Sequence, residues 1–249
     1  MDIPRAFNAA SWFVDRHVAA GRADRLAIRY GGGDITYGDV RAAANRCGNA
    51  LRRLGVRMEQ RVLLLLPDGP EFAAAFWGAL KIGAVAVPAN TLLKPRDYEY
   101  ILNDSRAEVA IAGEDLAPAI EALRPRLRFL RQLVVAGRAG PGQVGLAELV
   151  TAESDELDPA ATTKDDVAFW LYTSGTTGTP KAAVHLHHDM VVCCEAFGRH
   201  VLEIGPDDRC FSVARLFFAY GLGNALYFPF HVGAATVLDP RRQIGRAHV

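Results

Sequence analysis

Lysine is scarce in this chain: four of its 28 basic residues, at positions 81, 94, 164 and 181, are lysine. Any lysine that closes a motif is therefore less expected from composition alone. Cysteine is scarce too. Cys47, Cys193, Cys194 and Cys210 have no metal-type spacing, which argues against a disulfide framework or a cysteine-built metal centre, and we expect small core residues in a reducing compartment. Neither sign of charge is in excess, with 28 acidic against 28 basic residues. That balance gives no general attraction to nucleic acid or to membranes and leaves a small molecule as the expected partner. Long apolar runs are missing: residues 62–66 stop at Pro67, and later stretches are cut by Lys81 and Asn90, so no segment is long enough to cross a bilayer. The start, Met-Asp-Ile-Pro-Arg, lacks a basic region followed by an apolar one, so no signal peptide is expected and a cytoplasmic location is.

What is present is a chain of 249 residues, half of them hydrophobic, ample for a large core. The pattern predicts an α/β fold with mostly parallel sheets flanked by helices, because short continuous apolar runs alternate with segments of helical period. Residues 7–20 read as a helix, and residues 25–30 with 34–37 as a hairpin turned by Gly31, Gly32 and Gly33. Thr36 caps a helix that ends at Gly55. Strands are expected at 61–66, 85–87, 108–112, 130–135, 167–172, 210–213 and 234–238. Helices are expected at 70–80, 95–102, 116–123, 189–202 and 220–230. Residues 137–145 and 152–166 read as solvated connectors.

The most informative stretch follows the strand at 167–172. It reads Tyr172-Thr-Ser-Gly-Thr-Thr-Gly-Thr-Pro-Lys181. A cluster of glycine and hydroxyl residues is in most proteins a solvated turn. Here every residue from 173 to 179 is small and a rare lysine ends the run, which favours a phosphate loop. Gly175 and Gly178 let backbone N–H groups approach an anion, Thr173, Ser174, Thr176, Thr177 and Thr179 add hydroxyl donors, and Lys181 adds the countercharge. The nucleotide P-loop pattern does not fit, since Pro180 precedes Lys181 and Ala182 follows it.

This loop resembles the phosphate-binding signature of the acyl-adenylate-forming superfamily, which runs aromatic, Thr, Ser, Gly, Ser/Thr, Thr, Gly, any residue, Pro, Lys, Gly. Residues 172–181 match at each specified place, and Ala182 stands where glycine is usual. Further similarity lies in Phe169-Trp-Leu-Tyr-Thr-Ser-Gly, in Val184-His185 with His187, in Leu216-Phe-Phe-Ala-Tyr-Gly-Leu-Gly-Asn-Ala-Leu226 and in Gly233-Ala-Ala-Thr236. Over residues 1 to about 240 the chain is similar to the N-terminal portion of benzoate-CoA ligases.

The resemblance implies a two-step ligase that uses ATP with Mg²⁺, an aromatic acid such as benzoate, and CoA as co-substrate. A carboxylate attacks the α-phosphorus of ATP, pyrophosphate leaves, and CoA then displaces AMP from the acyl-adenylate. It implies ATP phosphate binding by Thr173, Ser174, Gly175, Thr176, Thr177, Gly178 and Lys181, with Lys181 in the catalytic role of stabilising phosphate charge. Phe218, Ala219 and Tyr220 would border the acid pocket; from the residues alone, core packing is an equal reading for them, and the favoured one for Phe228 and Phe230. His185, His187 and His188 lie together, yet no cysteine or carboxylate stands at ligand spacing, and no metal site is assigned.

The resemblance further implies an incomplete N-terminal adenylation domain over residues 1–243, a non-native tail at 244–249 that does not continue the pattern, and no C-terminal domain. The adenylating lysine would lie beyond residue 249, so little ligase activity is expected of this chain alone. A homodimer of the full-length enzyme is left open. The competing readings are an acyl-adenylate former for another acid and a non-catalytic nucleotide-binding module.

Overall fold

The computed structural model describes residues 2–173 and 180–241. A helix opens the chain, its first turn wound as a π-helix over Ser11–Asp15 before continuing as α1 (Arg16–Ala19). The hairpin of β1 (Leu26–Tyr30) and β2 (Gly33–Thr36) turns through Gly31 and Gly32, whose φ angles of 58° and 82° lie in the left-handed region that favours glycine. Thr36 then starts α2 (Tyr37–Arg53). Its hydroxyl accepts from the Asp39 amide at 3.2 Å, while the Asp39 carboxylate accepts from the Thr36 amide at 2.9 Å. This capping box satisfies donors that the first helical turn leaves unpaired, and the Thr36 cap contributes about 1 kcal/mol.

Strand and helix alternate from there: β3 (Arg61–Leu65), α3 (Pro70–Lys81), β4 (Val85–Pro88), α4 (Pro95–Ser105), β5 (Val109–Gly113), α5 (Ala117–Leu123) and β6 (Gln132–Ala136). A two-residue strand, β7 (Val144–Gly145), and a short helix, α6 (Leu146–Thr151), follow. Next come β8 (Val167–Thr173), β9 (Lys181–Leu186) and α7 (His187–Cys193), which runs on as a π-turn over Cys194–Arg199. The last elements are β10 (Arg209–Phe211), α8 (Ala219–Leu222) extended through Gly223–Tyr227 into α9 (Phe228–Val232), and β11 (Ala235–Leu238).

The strands form two sheets. Seven strands lie in the order β7-β6-β5-β3-β4-β8-β9, parallel throughout except for the β8–β9 pair. Four more lie in the order β10-β11-β1-β2, with β1 parallel to β11 and antiparallel to β2. Strand order depends on pairings between distant segments, which local periodicity does not encode.

The central strands β3, β4, β5 and β6 of the seven-stranded sheet are continuous apolar runs and are buried on both faces. Leu63, Leu65, Val87, Ala110 and Ala112 face α4 and α5. Val62, Leu64, Ala86 and Ile111 face the opposite core layer, which holds α2, α3 and the helices near both ends of the described chain. Trp77 of α3 is central to that layer: its ring stacks on Phe13 at 5.3 Å and on Phe230 at 5.9 Å, joining the first helix to α9. Phe228 and Phe230 are buried, the packing role expected of them.

Three local expectations are corrected. Residues 181–186 form strand β9, where no element was expected between the loop and the following helix. Residues 146–151 form α6 within a stretch bounded by connectors. The connector at 152–166 is also more than a solvated loop. Thr162 is buried, its hydroxyl donating to the Phe7 carbonyl at 2.7 Å, and the Asp155 carbonyl accepts from the Asn45 side chain at 2.6 Å. These bonds strap the connector across α2 and the N-terminal segment. Cys193 and Cys210 are half-buried, whereas Cys47 and Cys194 lie in the core.

α2 and α3 cross where Gly48 meets Gly78. A β-carbon on Gly78 would stand 2.7 Å from the Ala44 carbonyl oxygen and 2.9 Å from the Gly48 nitrogen, both backbone atoms that cannot rotate aside. We expect Gly78→Ala to destabilise the fold by about 1–3 kcal/mol, seen as a lower urea midpoint at unchanged slope. A midpoint equal to that of the parent would show that the helices separate freely at this crossing.

Candidate functional site

The parallel pairing of β3, β4 and β8 brings their carboxyl ends to one edge of the seven-stranded sheet, the edge at which α/β sheets bind ligands. At that edge β8 pairs with β9 in antiparallel register, and Thr173 stands opposite Lys181. The Thr173 hydroxyl donates to the Lys181 carbonyl at 3.4 Å. The expected phosphate loop is thus clasped at its two ends, with Thr173 and Lys181 both exposed. Ser174, Gly175, Thr176, Thr177 and Gly178, to which phosphate binding was assigned, lie outside the described residues. The preceding Tyr172 anchors the hairpin, because its hydroxyl donates to the Asp104 carboxylate on α4 at 2.6 Å. Burial and that carboxylate both push the Tyr172 hydroxyl pKa upward, keeping the proton on the phenol.

The three neighbouring histidines part company. His185 stacks flat on Phe169, ring centroids 4.5 Å apart, across the β8–β9 pair. His187 is buried, and its Nδ1 accepts from the Ala9 amide at 3.0 Å, which fixes the start of α7 against the N-terminal helix. His188 Nδ1 lies 2.8 Å from the Lys164 carbonyl and donates to it. Among the described residues no group of three or more His, Cys, Asp or Glu side chains is placed to hold a metal ion. A cleft of about 350 Å³ opens beside the Phe169–His185 stack, with Met190, Cys193 and Tyr227 in its walls.

Phe218 caps α8 and Ala219 and Tyr220 open it, on the connection from β10, which belongs to the four-stranded sheet. Their expected position on the same sheet edge as the loop therefore does not come from a shared sheet. It comes from Asp68, which follows β3 at the carboxyl edge. The buried Asp68 carboxylate accepts from the Leu216 amide at 3.0 Å and pairs with the Arg215 guanidinium at 3.5 Å. Arg215 also donates to the Asp239 carbonyl at 2.6 Å and to the Arg241 carbonyl. Burial raises the Asp68 pKa, with the Leu216 amide and Arg215 opposing it. Sequence reasoning missed Asp68 and Arg215; the signal was a carboxylate in the turn after a buried strand and an arginine just before an aromatic motif. Beyond this clamp Phe218 and Tyr220 are 47% and 63% exposed, an unusual state for two large aromatic side chains side by side in one motif.

Burial also holds three histidines neutral. His17 donates from Nε2 to the Phe230 carbonyl at 2.6 Å, and His231 lies between the Trp12 indole and the Glu195 carboxylate. Loss of solvent pulls the pKa of His17 and of His187 down from 6.5 to about 4 and lowers that of His231. The unfolded chain takes up these protons as pH falls below 6.5, whereas the native state resists until about 4. Stability is therefore full above pH 6.5 and lost on acidification toward 4, by up to about 1.4 kcal/mol per pH unit for each histidine. Urea midpoints measured across that range should fall in the parent and fall less steeply in His187→Gln. Parallel slopes in the two proteins would show that His187 titrates normally.

The family model described as AMP-binding enzyme matches residues 15–247. The chain is 44% identical over 241 residues to the benzoate–CoA ligase of Thauera aromatica, covering 96% of this chain and 45% of that protein. It is 44% identical over 238 residues to the 4-hydroxybenzoate–CoA/benzoate–CoA ligase of Rhodopseudomonas palustris, of which it covers 44%. Among solved structures, the anthranilate CoA ligase AuaEII in complex with anthranoyl-AMP superposes with a TM-score of 0.93 at 38% identity, over 97% of this chain and 46% of that one. A benzoate CoA ligase from Burkholderia xenovorans LB400 superposes with a TM-score of 0.84 at 39% identity, over 95% and 46%. The chain spans about half the length of the curated relatives it matches. With its parallel sheet, its clasped loop and a family match over most of its length, this chain belongs to the AMP-binding enzymes.

Proposed function

We propose that this chain supplies the ATP-phosphate and acid-binding portion of a ligase that activates an aromatic carboxylate, benzoate or a close analogue, as its CoA thioester. The observation that carries the reading is the β8–β9 hairpin. Its register sets Lys181 opposite Thr173 at the carboxyl edge of the sheet, with Tyr172-Thr-Ser-Gly-Thr-Thr-Gly-Thr-Pro-Lys181 spanning the gap. The aromatic acids in the relatives' names, and the anthranoyl-AMP bound by one structural neighbour, support an aromatic acyl-adenylate as the intermediate.

In the first half-reaction a carboxylate oxygen bonds to the α-phosphorus of ATP, and the bond to the β-phosphate oxygen breaks. The electron pair leaves with pyrophosphate, and the product is a mixed anhydride of the acid and AMP. Negative charge grows on the departing phosphates, so the chain's task is to hold donors and a cation there before reaction begins. Lys181 supplies the cation, and Thr173, Ser174, Thr176, Thr177, Gly175 and Gly178 supply hydroxyl and backbone donors. Mg²⁺, when it accompanies ATP, adds further neutralisation at the phosphate oxygens. In the second half-reaction the CoA thiolate, its proton already given to solvent, bonds to the acyl carbon, AMP leaves with the electron pair of the anhydride bond, and the thioester forms.

For the acid, the exposed Phe218, Ala219 and Tyr220 offer a planar ring next to a small side chain, a shape that suits an aromatic ring more than a long alkyl chain. The Asp68–Arg215 clamp would fix that segment relative to the loop, so that the acid's carboxylate and the α-phosphate meet in one geometry.

The test is benzoate-dependent ATP–pyrophosphate exchange, measured on this chain and on residues 1–241 joined to the remaining length of a benzoate–CoA ligase relative. The joined protein should exchange, and Lys181→Ala should lower its rate by roughly a hundredfold or more with a smaller effect on benzoate affinity. A folded joined protein that binds ATP but exchanges with no aromatic acid would point to a nucleotide-binding module instead.

A further inference from the structure

We propose that the cleft at the carboxyl end of α4 binds a phosphate monoester carried on a planar ring, at a site separate from the phosphate loop. The segment Arg124-Pro-Arg-Leu-Arg-Phe-Leu-Arg131 places four arginines within eight residues. Three of them are matched by carboxylates: Arg124 with Glu121 at 3.5 Å, Arg126 with Glu99 at 3.4 Å and Arg131 with Glu108 at 3.4 Å. Arg128, and Arg106 from the end of α4, have no carboxylate within ion-pair distance among the described residues. These two flank one ring, their guanidinium carbons 5.9 Å and 5.7 Å from the centroid of Phe129. Together with Tyr100, Asn103 and Asp104 they line a cleft of about 290 Å³.

Three features show that the arrangement is held in place. Asn103 accepts from the Arg128 amide at 2.9 Å and donates to the Arg126 carbonyl at 3.1 Å, fixing the arginine segment to α4. Asp104, the carboxylate in the cleft wall, is engaged by the Tyr172 hydroxyl at 2.6 Å. Arg106 itself occupies the left-handed cap of α4 at φ 53°, a place where glycine is the usual residue and a β-carbon costs roughly 1 kcal/mol. An arginine kept there at a cost to the fold points to a use for its side chain.

The chemistry of the occupant follows from the lining. Guanidinium forks match phosphate oxygens, and two of them suit a doubly charged monoester better than a single carboxylate. Phe129 and Tyr100 offer ring surface beside the two guanidinium groups, and the cleft of about 290 Å³ has room for a phosphate with one ring system. The Asp104–Tyr172 bond puts such a ligand one hydrogen bond from the strand that carries the phosphate loop. The inference does not depend on the ligase reading, because it concerns residues outside that loop.

The test is calorimetric titration of this chain with phenyl phosphate, with inorganic phosphate and phenol as the two separate halves. Phenyl phosphate should bind roughly tenfold or more tightly than inorganic phosphate, and either Arg106→Gly or Arg128→Ala should weaken it by roughly tenfold or more. Arg106→Gly relieves the left-handed backbone, so it should melt no lower than the parent and its loss of binding is not a folding defect. Binding in Lys181→Ala should equal that of the parent. Affinity unchanged in the Arg106→Gly, Arg128→Ala double variant, or the absence of saturable binding, would overturn the proposal. Loss of binding in Lys181→Ala would overturn it by assigning the phosphate to the loop, and equal affinity for phosphate and phenyl phosphate would remove the ring.

Discussion

The antiparallel register of β9 on β8 is the constraint from which the rest of the site follows. β8 is a buried strand whose neighbours all run parallel to it on one side, so its carboxyl end is committed to the ligand-binding edge. Pairing Thr173 with Lys181 then returns the chain at that edge and sets the distance between the two ends of the loop signature. A slip of one residue would turn Lys181, Ala183 and His185 to the opposite face and break the stack of His185 on Phe169. That stack, the Tyr172–Asp104 hydrogen bond and the His187 anchor on the Ala9 amide each hold one part of the hairpin, and all depend on the same register.

A second tie joins the two sheets. Asp68 belongs to the seven-stranded sheet by its place after β3, while Arg215 and Leu216 lie on the path from β10 of the other sheet into α8. A carboxylate buried with an amide and a guanidinium is costly to strip of either partner, which makes the clamp a stiff one. The clamp ties the segment that opens α8, on a connection of the smaller sheet, to the carboxyl edge of the larger one.

The parts legible in the sequence were those set by local physics. Thr36 announces the start of α2, and the runs at 61–66 and 108–112 announce the strands found at Arg61–Leu65 and Val109–Gly113. The loop signature was legible because its residue types are rare in that order. What escaped was set by distant partners. β9, with Ala182, Ala183, Val184 and His185, has too little alternation to read as a strand and becomes one by pairing with β8. Thr162 reads as a surface residue until Phe7 and Asn8 close over it. Asp68 and Arg215 stand roughly 150 residues apart, and no local pattern pairs them.

The same separation has a consequence for how the chain is made. β1 near the start pairs with β11, and Ile28 must wait for Thr236 some two hundred residues later. On a ribosome the first hairpin emerges early with one strand edge open, while the seven-stranded sheet is assembled from nearer neighbours. Completion of the smaller sheet waits for about two hundred further residues, made at roughly 5–20 per second, leaving β1 as an exposed template for roughly ten seconds or more. Cells producing this protein at high rate would meet that edge before its partner exists, and the demand on chaperones would track translation speed.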